Sequence, residues 1–491
     1  MLHERADSLQ NELFQLLTDA YYGVGLFYKG AGLKKHPRES ANNFVSRQQL
    51  AYYLNYTGPI VDASVAPIFA DEIKREYKGT AKFEIFLDDV DRLGTSLQEF
   101  MRRTATQAKL YGVMYVLVNN EAVIGDSLQD ELDKRALPFV SAIKPVDVEH
   151  WLFDERGRMV EFTYKDVILN DEDDLKTQYY EWTTTTWAVY DENKQLIRQG
   201  DHNLGRIPVV QWHSRNLAPT DVLPPSEFLS VVQTNYHLYQ LCSWHTQILR
   251  DQAFNILTMP DYGQQDVTIG TNNLLTYPAD ATHPPAFIAP KSEPAQMLTD
   301  QIDRLIKEMY RMSGIDSVVG VESSKSGVAK QWDFERTNQR LADFAIQCEQ
   351  VEQRIIELYQ AWSNESFDYV CEYPRDFSIG DVAESLANAQ SALDLGFNSK
   401  TYKQEVAKNV LEAYLPNIEP DVYDAIIDEL EQAFDDAEKA TAMLRDNIDE
   451  GVHVDADEAG QDGQGDNQVR GAGEGSSEEG PDSEAGSGLR L

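Results

Sequence analysis

MLTDQIDRLIKEMYRMSG (297–314), IDSVVGVESSKSGVAK (315–330) and QWDFERTNQRLADFAIQCEQVEQRIIELYQAW (331–362) read as a helix, a polar joint and a longer helix. Together they make the stretch Glu293–Trp362, around which the rest of the chain is organised. Leu298, Ile302, Leu305, Met309 and Met312 recur every three or four positions, which predicts one apolar stripe on a helix over 293–313. Gly314 follows as a C-cap glycine. The joint carries Gly320, Gly327 and small polar residues. The second helix, from about 329, is striped by Leu341, Phe344, Cys348, Val351, Ile355, Leu358 and Trp362. At 1.5 Å per residue it spans roughly 50 Å, with no second stripe expected.

Working outward, the segment before this stretch changes character abruptly. Residues 260–292 hold seven of the chain's prolines and glycines, with strand-like pieces DVTIG, NLLTYP and AFIAP. A helix precedes them over 226–259, opened by Ser226 after Pro224-Pro225 and striped by Leu238, Leu241, His245, Ile248 and Leu249. Residues 1–213 read as an α+β unit with a curled antiparallel sheet. Helices are expected at the N-terminus (Leu9, Leu13, Leu16, Leu17), from Asn43 to Gly58-Pro59, over 60–77 with a break at Pro67, and from Thr95 or Ser96 to Gly112. Residues 24–40, with Lys29, Lys34, Lys35 and Arg38, read as an exposed basic loop. Strands are expected at KFEIFL, VMYVLVNN, FVSAI, EHWLF, MVEFTYKDVIL, YYEWTTTTWAVYD, IPVVQWH and, later, FDYVCEYP. Helices follow over 381–396, 399–414 and 419–447. From Asp449 the chain is Gly, Ser, Asp and Glu, too poor in apolar residues to offset its chain entropy, so that tail is expected to be disordered.

The composition sets limits on function. The 491 residues carry 82 acids against 43 Lys and Arg, a net charge of −39, which argues against a constitutive nucleic-acid binder. The length suits about two to four folding units. No leader sequence and no membrane span are expected. Cys242, Cys348 and Cys371 are scattered and read as buried free thiols of a reducing compartment.

No enzymatic constellation assembles. Lys325 precedes Gly327, so the joint lacks the glycine–lysine pair of a phosphate-binding loop. Asp88, Asp89 and Asp91, and Asp171 to Asp174, are contiguous acids that splay apart, which favours solvated turns over a Mg²⁺ or Ca²⁺ site. His237 and His245 read as helix packing residues, and no zinc spacing or nucleophile elbow exists. Neither cofactor nor metal is expected. Lys325 and Lys330 are solvated lysines in a monomer; in a closed ring, symmetry turns each into a circle of positive charge.

The order of parts resembles the portal protein of tailed double-stranded DNA bacteriophages. RLIKEMYRMSGIDSVVG followed by KQWDFERTNQRLADFAIQCEQVEQRIIELYQAW carries the likeness best, which extends over about residues 40–445. The resemblance implies a ring-forming α+β fold with an N-terminal wing (1–225), paired stem helices (226–259 and 293–313), a small β clip (260–292), a tunnel loop (314–328), a long wing helix with its return strand (329–379) and a helical crown (380–448). The tail 449–491 lies outside the pattern. Leu298, Ile302, Leu305, Met309 and Met312 would pack the stem. Val267, Ile269, Leu274, Leu275, Tyr277, Phe287 and Ile288 would belong to the clip. Val318, Val319, Gly320, Glu322, Ser323, Ser324, Lys325, Ser326, Gly327 and Lys330 would face DNA.

The family's members form rings, typically of twelve subunits, at one capsid vertex. They have no enzymatic activity. The implied partners are further copies of the chain, viral double-stranded DNA in transit, the terminase large subunit, a head–tail adaptor, and the major capsid and scaffolding proteins, with no membrane. The implied location is the virion, and the host cytoplasm during assembly. The i, i+4 pairs Asp303–Lys307 and Arg304–Glu308 would set register between neighbours. Two other readings compete: an acidic scaffold using long coiled-coil-like helices, and a Mg²⁺-dependent nuclease built on the aspartate clusters.

Overall fold

The computed structural model describes residues 3–4, 8–120, 137–169, 174–253, 256–261, 274–278, 280, 284–288, 292–315, 327–377, 389–391, 399–414, 422–423, 425–433, 436 and 439. The chain divides into two units, Met1–Ser378 and Ile379–Leu491. The first opens with the short strand β1 (His3–Glu4) and helices α1 (Ser8–Tyr22), α2 (Ala41–Gln49), α3 (Thr57–Ala63), α4 (Ala81–Asp88) and α5 (Leu97–Tyr111), with the short strand β2 (Lys74–Tyr77) between α3 and α4. Eight strands follow: β3 (Val113–Asn119), β4 (Phe139–Ile143), β5 (Val148–Phe153), β6 (Met159–Leu169), β7 (Leu175–Thr183), β8 (Thr186–Tyr190), β9 (Leu196–Asp201) and β10 (Val209–His213). Then come α6 (Leu229–Ala253), β11 (Ile256–Asp261), β12 (Leu274–Pro278), β13 (Ala286–Ile288), α7 (Glu293–Ser313), α8 (Gly327–Ser363) and β14 (Tyr369–Glu372).

β3 is the centre of this unit. Its residues from Val113 to Val118 are all buried, because both faces of the strand are covered. Met114, Val116 and Val118 face a core built from α1, α3, α5, α6 and α8. Val113, Tyr115 and Leu117 face a second core with Trp151, Phe162, Tyr164 and Trp182. The period of two thus divides one strand between two cores. β3 pairs antiparallel with β4 and β10, while β1, β5, β6, β7, β8 and β9 form a separate six-stranded sheet in that order. α5 delivers the chain into β3. Ser96 caps it by accepting from Glu99 N, and Gly112 ends it at φ 92°. A side chain at Gly112 would also press on the carbonyl oxygens of Pro224 and Pro225, at 3.1 and 3.2 Å.

Several expectations from the sequence are corrected. KFEIFL lies in helix α4: Phe83 and Phe86, three apart, are buried together, while Ile85 is 38% exposed, which is helical and not alternating spacing. The helix expected over 60–77 stops at Ala63. Pro67 sits in a 3₁₀ turn, and Lys74–Tyr77 pairs with β14. Gly58 and Pro59 lie inside the first turn of α3, where proline costs no hydrogen bond. YYEWTTTTWAVYD bends between β7 and β8, where Thr183 Oγ1 accepts from Thr186 N at 2.9 Å. Residues 196–201 add the unexpected strand β9. The helix expected to reach residue 259 ends at Ala253, because Ile256–Asp261 is claimed by sheet pairing with β12 and β13. α8, 37 residues long, does carry a second stripe: Ala345, Glu352, Ile356 and Tyr359 are buried beside the expected one.

The loop at 24–40 is also tied down. Tyr236 and Gln240 of α6 donate to Gly32 O at 2.6 and 2.9 Å, and Lys34 N donates to Gln240 Oε1. In the second unit the described residues include helix α9 (Lys400–Tyr414), whose Ser399 Oγ accepts from Tyr402 N, and helical residues 425–433. The tail 449–491 lies outside the described residues.

Two buried histidines make stability depend on pH. His202 Nε2 donates to Thr183 O at 3.0 Å and His213 Nε2 to Asp221 O at 2.8 Å. Burial lowers both imidazoles below their ordinary value of 6.5. The unfolded chain therefore binds more protons just below pH 6.5, and stability falls as pH falls through that value. Each histidine contributes at most about 1.4 kcal/mol per pH unit. Urea midpoints should drop between pH 7 and 5.5, and His202→Gln with His213→Gln should flatten that slope; an unchanged slope would contradict it.

Candidate functional site

α6 and α7 pack side by side, with Thr299 Oγ1 and His245 Nε2 joined by a 3.2 Å hydrogen bond. His245 is thus a helix-pair contact. Between the two helices the chain forms a three-stranded sheet, β12–β11–β13, in which β11 runs parallel to β12 and antiparallel to β13. Leu274, Leu275 and Tyr277 lie in β12, and Phe287 and Ile288 in β13; Val267 and Ile269 fall outside the described residues.

α7 is fixed by its C-terminal half. Met309 is wholly buried, and Ile302, Leu305, Ile306 and Tyr310 pack against the main core. Leu298 is half-buried, and Met312 is 37% exposed. The stripe passes from Met309 to Ser313, four residues on, so Met312 is turned off the buried face. Glu308 bonds Arg311 at 2.6 Å, a different partner from the Arg304 expected.

The joint between α7 and α8 springs from an anchored base. Gly314, at φ 73°, donates to Tyr310 O. Thr337 Oγ1 donates to Gly314 O at 2.6 Å, and Arg340 Nη1 donates to Ser313 O at 2.8 Å. A side chain at Gly314 would strike the Arg340 guanidinium. Ile315 is buried. Thr337 and Arg340 were not singled out in the sequence, since each looks like an ordinary polar position on a helix. Val318, Val319, Gly320, Glu322, Ser323, Ser324, Lys325 and Ser326 lie outside the described residues. Gly327 opens α8, and Lys330 lies in its first turn.

Beside this base is a groove of about 620 Å³ lined by Lys109, Arg215, Glu227, Arg340, Asp343 and Gln347, among others. Lys109 Nζ bonds Glu227 Oε1 at 2.9 Å and sits 4.3 Å from the centre of the Phe344 ring.

The acidic runs do local work. Asp89 Oδ1 accepts from Gly94 N, and Asp91 accepts from Leu93 N, Thr95 N and Arg103. Asp171, Glu172 and Asp173 fall outside the described residues. Among the described residues, no three His, Cys, Asp or Glu converge as a metal site, and no helix is long and apolar enough to cross a membrane. Cys242, Cys348 and Cys371 are free and buried, and burial raises all three thiols.

No family model and no curated protein matches this chain. Among solved structures it is similar to a chain of the "Virion of native gene transfer agent (GTA) particle", at 9% identity and a TM-score of 0.45, covering 83% of this chain and 95% of that one. It is also similar to a chain of the "Neck of empty GTA particle computed with C6 symmetry", at 9% identity and a TM-score of 0.43, covering 78% of this chain and 97% of that one.

Proposed function

We propose that this chain is a portal subunit of a tailed double-stranded DNA bacteriophage, forming a ring at one capsid vertex through which the genome is packaged and ejected. The observation that carries this reading is the element order. A helix pair, α6 and α7, brackets a small β insert, and α7 leads through an anchored joint into the 37-residue helix α8. In the ring, α6 and α7 form the stem and residues 256–292 the clip, which docks the terminase and later the tail adaptor. Residues 380–448 form the crown, and the wing meets capsid and scaffolding proteins.

The loop over 316–326 faces DNA. A ring of Lys325 and Lys330 side chains on a protein of net charge −39 touches phosphate weakly, and weak contact lets a polyanion slide. The chain itself catalyses nothing and leaves ATP hydrolysis to the terminase. It resides in the virion, after assembly in the host cytoplasm.

The base of the loop is held by Thr337 and Arg340, so the loop can be altered without disturbing it. Replacing Val318–Ser326 with a glycine–serine linker of equal length should leave rings intact and impair DNA packaging in a reconstituted assay. Normal packaging by that variant would remove the loop from the mechanism.

A further inference from the structure

We propose that the face built by residues 22–53 is one half of a head-to-tail contact between copies of this chain, receiving an acidic surface of the next copy. The proposal rests on the ring reading and names the surface that would make it.

The first observation is charge. Between Ala20 and Val61 the only acid is Glu39, and it is engaged by the buried Arg47 at 2.9 and 2.8 Å. Lys29, Lys34, Lys35 and Arg38 are exposed, so the surface here is cationic on a chain of net charge −39.

The second is shape. A groove of about 800 Å³ runs between Tyr22, Tyr28 and Val45, over a floor that includes Phe27 and Tyr53. Tyr22 is 58%, Tyr28 57% and Val45 50% exposed, a density of large apolar side chains that marks an interaction surface.

The third is rigidity. The Phe27 and Tyr53 rings pack with centroids 4.2 Å apart at a 37° tilt, Gly30 N donates to Tyr239 OH, and Gln48 Nε2 donates to Gly30 O. The face is therefore pre-organised, which lowers the entropy cost of docking.

Charge complementarity selects the occupant. Two such faces set against each other would oppose four cations to four, which excludes a symmetric contact. An acidic surface with apolar side chains satisfies both lysines and groove, and outside residues 20–61 the chain carries 81 acids (82 less Glu39) against 38 Lys and Arg (43 less five). A contact between two different patches is heterologous, and such contacts close into rings when the rotation permits. Single-stranded nucleic acid would offer phosphates to the lysines and bases to the tyrosines, but the net −39 of the chain repels it.

The test compares the full chain with Lys29→Glu/Lys34→Glu and with Tyr28→Glu by sedimentation velocity. Near-UV circular dichroism and thermal melts check that each variant folds; the three side chains are exposed. Wild type should assemble, and each variant should assemble about tenfold more weakly or worse. Each variant retains the acidic half of the contact, so mixing it with wild type should yield short capped oligomers. Variants that form wild-type rings would overturn this contact while leaving the ring reading standing. So would loss of binding to a fluorescent single-stranded oligonucleotide with assembly unchanged. Wild-type monomers at assembly concentration would overturn the ring reading and this contact together.

Discussion

Glu352→Ala should destabilise the protein by about 3–5 kcal/mol, the cost of breaking a buried ion pair by removing one partner. Glu352 lies inside α8 with no exposed surface. Its carboxylate accepts from Arg75 Nε at 2.8 Å, Arg75 Nη2 at 3.0 Å, Tyr369 OH at 2.6 Å and Tyr373 OH at 2.6 Å. Arg75 also donates through Nη1 to Gln98 Oε1 at 2.9 Å. One side chain thus ties α8 to β2, to β14 with the residue just after it, and through Arg75 to α5. Burial first, and the facing Glu352 second, push the two phenols far above their ordinary range, so both stay protonated as donors.

Alanine leaves the guanidinium without its counter-charge and two hydroxyls without an acceptor. Glu352→Gln should cost less, since it keeps the volume and one acceptor oxygen. Arg75→Met combined with Glu352→Leu should recover only the part of the loss due to the unpaired guanidinium, because Tyr369 OH and Tyr373 OH still lack their acceptor. Urea denaturation followed by near-UV circular dichroism measures all three. A double variant as unstable as Glu352→Ala would show that the uncompensated Arg75 charge is not what the single substitution costs.

The second large effect is expected at Asn235, which is wholly buried in α6. Its Oδ1 accepts from Tyr53 OH at 2.8 Å, Tyr56 N at 3.1 Å, Thr57 N at 3.2 Å and Thr57 Oγ1 at 3.0 Å. Its Nδ2 donates to Leu54 O at 2.9 Å. Tyr56, at the N-cap of α3, makes no capping bond of its own, so Asn235 caps that helix from another part of the chain. Asn235→Ala strands Thr57 N and the Thr57 hydroxyl in the core, while Tyr56 N and Leu54 O keep each other as partners; at about 1–3 kcal/mol for each group left unsatisfied the total is about 3 kcal/mol. Tyr53→Phe removes one donor and should cost only about 1 kcal/mol. Equal losses from the two substitutions would show that Asn235 does not act through the α3 backbone.

The parts of this fold that were legible in the sequence are those that a single segment determines. The stripe from Leu341 to Leu358, the caps Ser96, Gly112 and Gly314, and the buried run Val113–Val118 each carry their own signal. KFEIFL failed because six residues cannot distinguish a spacing of two from one of three. β2 failed because its partner, Tyr369–Glu372, lies at the opposite end of the unit. Residues 24–40 read as solvated because they are cationic, yet the loop is held through the carbonyl of Gly32, which carries no side-chain signal. Glu352 was readable in principle: an acid four residues after Cys348 and three before Ile355 falls on a core face, and a charge there requires a buried partner. At the candidate site, the stripe of α7 was legible as far as Met309. The supports at Thr337 and Arg340 were not, because both act on backbone carbonyls across the joint.

The central claim is that this chain builds a closed ring around a channel. Negative-stain electron microscopy of the purified full-length protein, at concentrations that permit assembly, tests it most directly. The account predicts end-on views of closed rings with a stain-filled central hole. A field of uniform single-subunit particles, or of elongated dimers, would contradict it.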